Sequence, residues 1–118
     1  MIPHLLRLAA SVATSPHSID HRNHRLGAVG VRSDGIIVSA RNGAQKVNNF
    51  YRSMPSIHAE VRCLRKMDMG GVIYVARVAS EGLALARPCI TCQQILRGKR
   101  IKKVVYSISD LEYGTLYL

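Results

Sequence analysis

Two stretches of this 118-residue chain carry side chains equipped for chemistry: Arg87-Pro88-Cys89-Ile90-Thr91-Cys92, and the earlier tripeptide His58-Ala59-Glu60. Two cysteines separated by two residues can present both sulfurs to one ion from the first turn of a helix. A histidine upstream supplies a third ligand, and zinc takes four tetrahedral positions. Three protein ligands leave the fourth to water, the pattern of a catalytic site rather than a structural one. Glu60 stands two residues beyond the histidine, close enough to move protons without occupying the metal. The spacing therefore names His58, Cys89 and Cys92 as zinc ligands and Glu60 as a proton carrier. Water on such an ion gives up its proton near neutral pH, which makes a hydroxide available for attack on an electron-poor carbon.

The elements that must position these groups can be read on either side of them. Leu5, Leu8, Ala9 and Val12 recur at helical spacing within residues 4–14, and Ser15-Pro16 ends that helix. Arg7 interrupts its apolar run and no cleavage pattern follows, so it reads as an amphipathic helix and not a signal peptide. Residues 26–31 and 36–40 read as two strands joined by a Ser33-Asp34-Gly35 turn, with glycine free to take positive φ. Asn42-Gly43 opens a polar loop running to Pro55, a reasonable place for substrate recognition. Ser56 is the expected N-cap of a helix from Ile57 to Met67, with Val61 and Leu64 inward and Met69-Gly70-Gly71 as its stop. A strand over 72–79, a turn at Ser80-Glu81-Gly82, an extended piece over 83–86, a helix over 89–97 ended by Gly98, and a strand over 104–107 complete the pattern. This β-β-α-β-α-β order implies an α/β fold, with helices packed on a mixed sheet. Both halves of the chemical motif then fall at helix N-termini, where the dipole favours thiolates.

Length bounds the chain to one domain, residues 1–118, with room for a real core. Hydrophobic residues make up 47% and charged residues 20%, ordinary for a globular protein, and no apolar run is long enough to cross a bilayer. With three cysteines, Cys63 is left over, which argues for a metal over a disulfide framework and suits a reducing cytoplasm. A net charge of +10 favours an anionic partner, nucleotide phosphate or nucleic acid, without separating the two, over a basic surface that serves solubility alone.

Together, the residues His58-x-Glu60 and Pro88-Cys89-x-x-Cys92 form the H-x-E…P-C-x-x-C pattern of the zinc deaminases, in which the glutamate is the acid/base and not a ligand. The chain resembles the cytidine deaminase superfamily over roughly residues 26–107. Gly27-Ala28-Val29 followed by a hairpin resembles the family's first strand pair. Ile57-His58-Ala59-Glu60 is similar to deoxycytidylate and tRNA adenosine deaminases, which use His where free-cytidine deaminases usually use Cys. Pro88 to Leu96 is closer to the matching helix of cytidine deaminases. Asn42-Gly43 resembles the pair in deoxycytidylate deaminases whose asparagine contacts the nucleoside. The resemblance implies a three-layer α-β-α cytidine deaminase-like fold with two zinc-bearing helices. It also implies Zn²⁺ on His58, Cys89 and Cys92, Glu60 as shuttle, Ala59 offering its backbone to the base, and Asn42 contacting the sugar or base. Relatives of this size usually form homo-oligomers, which is the expectation here.

Three function classes follow. The first is hydrolytic deamination of a cytosine nucleoside or nucleotide. The second is deamination of a base within nucleic acid, either single-stranded cytosine or tRNA adenine. The third is a non-catalytic, zinc-stabilised nucleic-acid-binding module. Other features carry blander readings. His17, His21 and His24 read as a polar loop ahead of a second metal site, Cys63 as core filling, and Arg62, Arg65 and Lys66 as a solvated helix face ahead of a phosphate contact. The run Arg97, Lys99, Arg100, Lys102, Lys103 fits a nucleic-acid backbone or a helix end favoured by its dipole. Six aromatic side chains, five Tyr and one Phe, are few for a base-stacking platform.

Overall fold

The fold is described from a computed structural model that covers residues 2–14, 25–44, 56–57 and 59–118. The expected polar loops around His17, His21 and His24 and after Ala44 lie outside these residues, as does His58. The elements in chain order are α1 (His4–Ala13), β1 (Arg25–Val31), β2 (Ile37–Arg41), β3 (Gly43–Ala44), β4 (Ser56–Ile57), α2 (Ala59–Leu64), β5 (Val72–Ala79), β6 (Gly82–Ala84), α3 (Ile90–Gly98), β7 (Lys103–Ser107) and β8 (Tyr113–Tyr117).

The main sheet runs β2-β1-β5-β7-β8, with β6 pairing on β5 beyond the end of β7. Only β5 and β7 are parallel, so the sheet is mixed, and the chain returns between them through β6 and α3. Side chains on the two faces of β1 alternate, which splits the core in two. Val29 joins Leu6, Ala9, Ala76 and Val105 under α1, while Ala28 joins Cys63, Ile73, Leu96 and Val104 under α2 and α3. The outcome is the expected three layers, helix over sheet over helices.

Two glycines on β1 set how closely those layers approach. A Cβ on Gly27 would sit 2.0 Å from the carbonyl oxygen of Ala9 and 2.6 Å from the amide nitrogen of Ala13. The backbone of α1 therefore rests directly on the strand. On the opposite face, a Cβ on Gly30 would meet the Met67 sulfur at 2.4 Å and the Cys63 sulfur at 3.0 Å. This contact also shifts the buried stripe of α1 from the one its Leu5/Leu8 spacing suggests. The helix buries Leu6, Ala9 and Ala13, and Leu8 is exposed, because only the small alanines can meet a glycine.

The β1–β2 hairpin closes as expected, with the amide of Gly35 donating to Arg32 and Gly35 at φ +89°. Asp68 accepts hydrogen bonds from both the amide and the hydroxyl of Ser33, tying this turn to the segment after α2. Those bonds hold the Asp68 carboxyl below its ordinary range.

Four expectations are corrected. The second helix spans Ala59–Leu64, not 57–67. Ser56 does not cap it, because Ser56 and Ile57 pair as β4 with Ala44 and Gly43. At the other end, the amides of Lys66 and Met67 donate three residues back, to Cys63 and Leu64, and tighten the last turn before the glycines are reached. The helix expected over 89–97 spans Ile90–Gly98, with Cys89 as its N-cap and Gly98 inside it; the chain reverses at Arg100, which takes φ 59°. Finally, β8 extends the sheet beyond the four strands expected. It lies against β7 with Gly114 opposite Tyr106, whose ring atoms occupy the space a Cβ would fill. No helix among the described residues is long and apolar enough to cross a membrane.

Gly27→Ala should destabilise the chain by about 3 kcal/mol or prevent folding, since overpacking here meets backbone rather than a movable side chain. Gly98→Ala, at a helical position with nothing within 4 Å of the new methyl, should instead stabilise by about 0.5–1 kcal/mol. Urea unfolding of the two variants checks the pair, and equal effects would contradict the packing described.

Candidate active site

Cys89 is the N-cap residue of α3, with extended backbone (φ −68°, ψ 166°), and its side chain makes no capping hydrogen bond. Pro88 fixes the approach, and the Gln93 side chain reaches back to donate to the Pro88 carbonyl at 2.9 Å. Cys89 is exposed while Cys92, inside the first turn, is fully buried. The entry to this turn is anchored from the sheet. The buried Ser107 hydroxyl donates to Ala84 at 2.7 Å and accepts from the Arg77 amide at 3.1 Å, and the Ser107 carbonyl takes the Ala86 amide. One serine thus pins β5, β6 and β7 where the chain leaves for Cys89.

Glu60 lies in the first turn of α2 and is only 4% exposed. It hydrogen-bonds to Cys92 across the α2–α3 junction, and Cys92 also hydrogen-bonds to Cys89. The Cys92 thiol is pushed far above the usual range, first by burial and then by the negative charge of Glu60 and the neighbouring Cys89. Ala59 is fully buried beside Glu60. Asn42 is buried at the end of β2. Its backbone N–H donates to the Leu26 carbonyl and its side-chain Oδ1 accepts from the Leu26 backbone N–H, both at 3.0 Å, which fixes the side chain through Oδ1. Just beyond it, Gly43 pairs with Ile57, so the chain leaving Asn42 runs beside the chain entering α2.

The structure therefore brings Glu60, Cys89 and Cys92 together, with Ala59 adjoining. His58 falls outside the described residues, and among the described residues no three His, Cys, Asp or Glu side chains form a metal-ligand set. The donor chemistry nonetheless fits zinc. The buried Cys92 sulfur has both the exposed Cys89 and the buried Glu60 beside it, and a divalent cation between the two sulfurs would offset the burial and negative charge that hold the Cys92 thiol protonated. Cys63, on the same helix, is buried against Gly30 and its thiol is pushed up to about 11 by burial, the inert core residue expected.

One basic cluster of α2 is tied to the edge strand, which its spacing alone does not reveal. Arg62 is half-buried and donates to the Arg41 carbonyl at 3.1 Å, and Lys66 donates to the Ser39 carbonyl. Arg65 and Lys66 are exposed, as a solvated face requires, whereas Arg62 is half-buried against β2. The signal was present in their i, i+4 spacing opposite Glu60, but what it faces depends on the edge strand β2.

A three-layer α-β-α sheet with an H-x-E helix meeting a P-C-x-x-C helix defines the zinc-deaminase class of proteins. The chain belongs to the family described as the cytidine and deoxycytidylate deaminase zinc-binding region, which it matches over residues 3–108. Among solved structures it is similar to the cytidine deaminase of Burkholderia pseudomallei, with a TM-score of 0.70 and 21% identity over 99% of this chain and 93% of that one. It is also similar to the dCMP deaminase of cyanophage S-TIM5, with a TM-score of 0.64 and 18% identity over 94% and 88%. The cytidine deaminase of Mycobacterium tuberculosis gives 0.56 and 21% over 87% and 80%. No curated protein matches the sequence.

In the metal-free chain at pH 8, iodoacetamide should modify Cys89 and leave Cys63 untouched. Added zinc should then slow the reaction at Cys89 severalfold while the Cys63 result stays the same. Mass spectrometry of the labelled peptides reads both outcomes; an unprotected Cys89 would remove it from the ligand set.

Proposed function

We propose that this chain is a zinc-dependent hydrolase that deaminates a cytosine nucleoside or nucleotide, giving the uracil product and ammonia. The observation that carries the reading is the buried Glu60 carboxylate in hydrogen-bond contact with Cys92 at the meeting of the α2 and α3 first turns. Zinc held by His58, Cys89 and Cys92 supplies Lewis acidity, which lowers the pKa of water toward neutrality.

Everything else is done by the chain. Glu60 takes the proton of the attacking water and delivers it to N3 of the cytosine ring as the oxygen adds at C4. It then carries the second proton to the departing amino group, which leaves as ammonia. A single carboxylate can serve both steps because burial keeps bulk water from exchanging its proton between them. The N-terminus of α3 favours the negative charge of the two sulfurs. Ala59 offers backbone to the base, and Asn42, its amide fixed by Leu26, addresses the sugar or base.

We also infer a homo-oligomer. Leu85 and Ile90, 54% and 73% exposed, flank Cys89 and present apolar surface that a second copy would cover. Sedimentation should find an assembly larger than one chain, and Ile90→Asp should weaken it.

Zinc-loaded protein incubated with cytidine, deoxycytidine and dCMP should release ammonia from at least one of them. Glu60→Gln should lower kcat by roughly a hundred- to ten-thousand-fold with zinc content unchanged. No release from any of the three by the loaded chain would reject the reading.

A further inference from the structure

A second concave feature lies apart from this site. A cavity of about 510 Å³ opens between the edge strand and the second helix, lined by Ser39, Ala40 and Arg41 of β2 and by Arg62, Arg65 and Lys66 of α2. Val12, from the end of α1, closes one wall with apolar surface. None of Glu60, Cys89 or Cys92 borders it. Its size is that of a small-molecule pocket.

Its charge is one-sided. Among the described residues the lining holds four cations and no carboxylate. Arg62, Arg65 and Lys66 occupy positions i, i+3 and i+4 of one helix face, a spacing at which like charges repel. Two of the cations are also held in place. Arg62 is fastened to the Arg41 carbonyl and Lys66 to the Ser39 carbonyl. Each keeps further N–H donors beyond the one so used, since a guanidinium carries five and an ammonium three. Rotamer freedom that a ligand would otherwise have to freeze is already lost, which is the condition for tight anion capture. A doubly charged oxyanion would both satisfy the fork of an arginine and relieve the repulsion along the helix.

We propose that this cavity is an anion site that takes a small phosphorylated molecule, the phosphate lying among Arg41, Arg62, Arg65 and Lys66 and the less polar portion against Val12. The site is independent of the deaminase reading, because none of its residues belongs to the proposed catalytic cluster.

The test is calorimetric titration of the zinc-loaded chain with inorganic phosphate, at ionic strength matched with chloride. Saturable one-site binding is expected, accompanied by a rise in thermal midpoint. Arg65→Gln, whose side chain is exposed, should weaken binding by about tenfold, the loss of one charge-assisted contact. Arg62→Gln should weaken it at least as much. Lys102→Gln, an exposed cation of the other basic run, should leave binding unchanged, and deamination by Arg65→Gln should persist if the wild-type chain deaminates. Absence of saturable binding overturns the proposal, as does equal weakening by Arg65→Gln and Lys102→Gln. A short single-stranded oligonucleotide that displaces phosphate and depends on Arg65 would also overturn it, by marking a nucleic-acid face instead.

Discussion

The structure depends on the contact between a buried carboxylate and a buried sulfur. Glu60 and Cys92 come from different helices, and each is almost fully removed from water. In isolation, such a pairing is unfavourable once both groups ionise, since desolvation and like charge act together. It would become favourable if a divalent cation neutralised the sulfurs, as the proposed zinc site requires. Binding there would contribute to the stability of the fold as well as to chemistry. The same burial that makes the corner costly without a cation gives Glu60 a low-dielectric setting, which the proposed proton transfer would use.

Holding that corner is the work of the sheet. α2 and α3 both lie on the face of β1, β5 and β7 that carries Ala28, Ile73 and Val104, so their first turns converge by layer geometry before any polar contact forms. The parallel pairing of β5 with β7, from Val72↔Lys103 to Val75↔Tyr106, requires a crossover, and α3 is that crossover. Ser107 then locks the exit from β6 through backbone groups of three strands. On the opposite face the requirement is different. α1 contributes no group to the corner, and its alanines serve to bring helix backbone onto Gly27. One face of the sheet is specialised for close packing and the other for positioning.

Much of this was legible in the residues themselves. The β1–β2 hairpin, β5, α3 and β7 follow from short β-branched runs, turn glycines and the Pro-Cys start, all of which act locally. That Cys92 meets both Cys89 and Glu60 agrees with the spacing, which places the two sulfurs on one helix turn and the carboxylate at the start of another. What escaped depended on partners distant in sequence. Ser56-Ile57 reads locally as a helix entrance, and only its pairing with Gly43-Ala44 makes it a strand. β8 is a five-residue edge strand with a glycine, stabilised by the Tyr106 ring on its neighbour rather than by its own propensity. The inward stripe of α1 was misjudged for the same reason, since Gly27 selects alanine over leucine at the contact.

Helix α2 borders both the Glu60–Cys92 contact and the basic cavity. It has only six residues, too few to be stable by propensity, so tertiary contacts on every side must hold it. Its 3.6-residue period places Glu60 and Cys63 toward the interior and Arg62 on the opposite side, over β2. The cations there donate to carbonyls of Ser39 and Arg41 that no neighbouring strand pairs, which closes the exposed edge of the sheet. An edge can be blocked by many means, and a single lysine would serve. Four cations around one cavity exceed that need, whereas the chain has only seven acidic residues in all, with Glu60 the one that is buried in the described structure. The helix therefore separates charge by face: one buried acid beside Cys92, and a group of bases lining the cavity over β2.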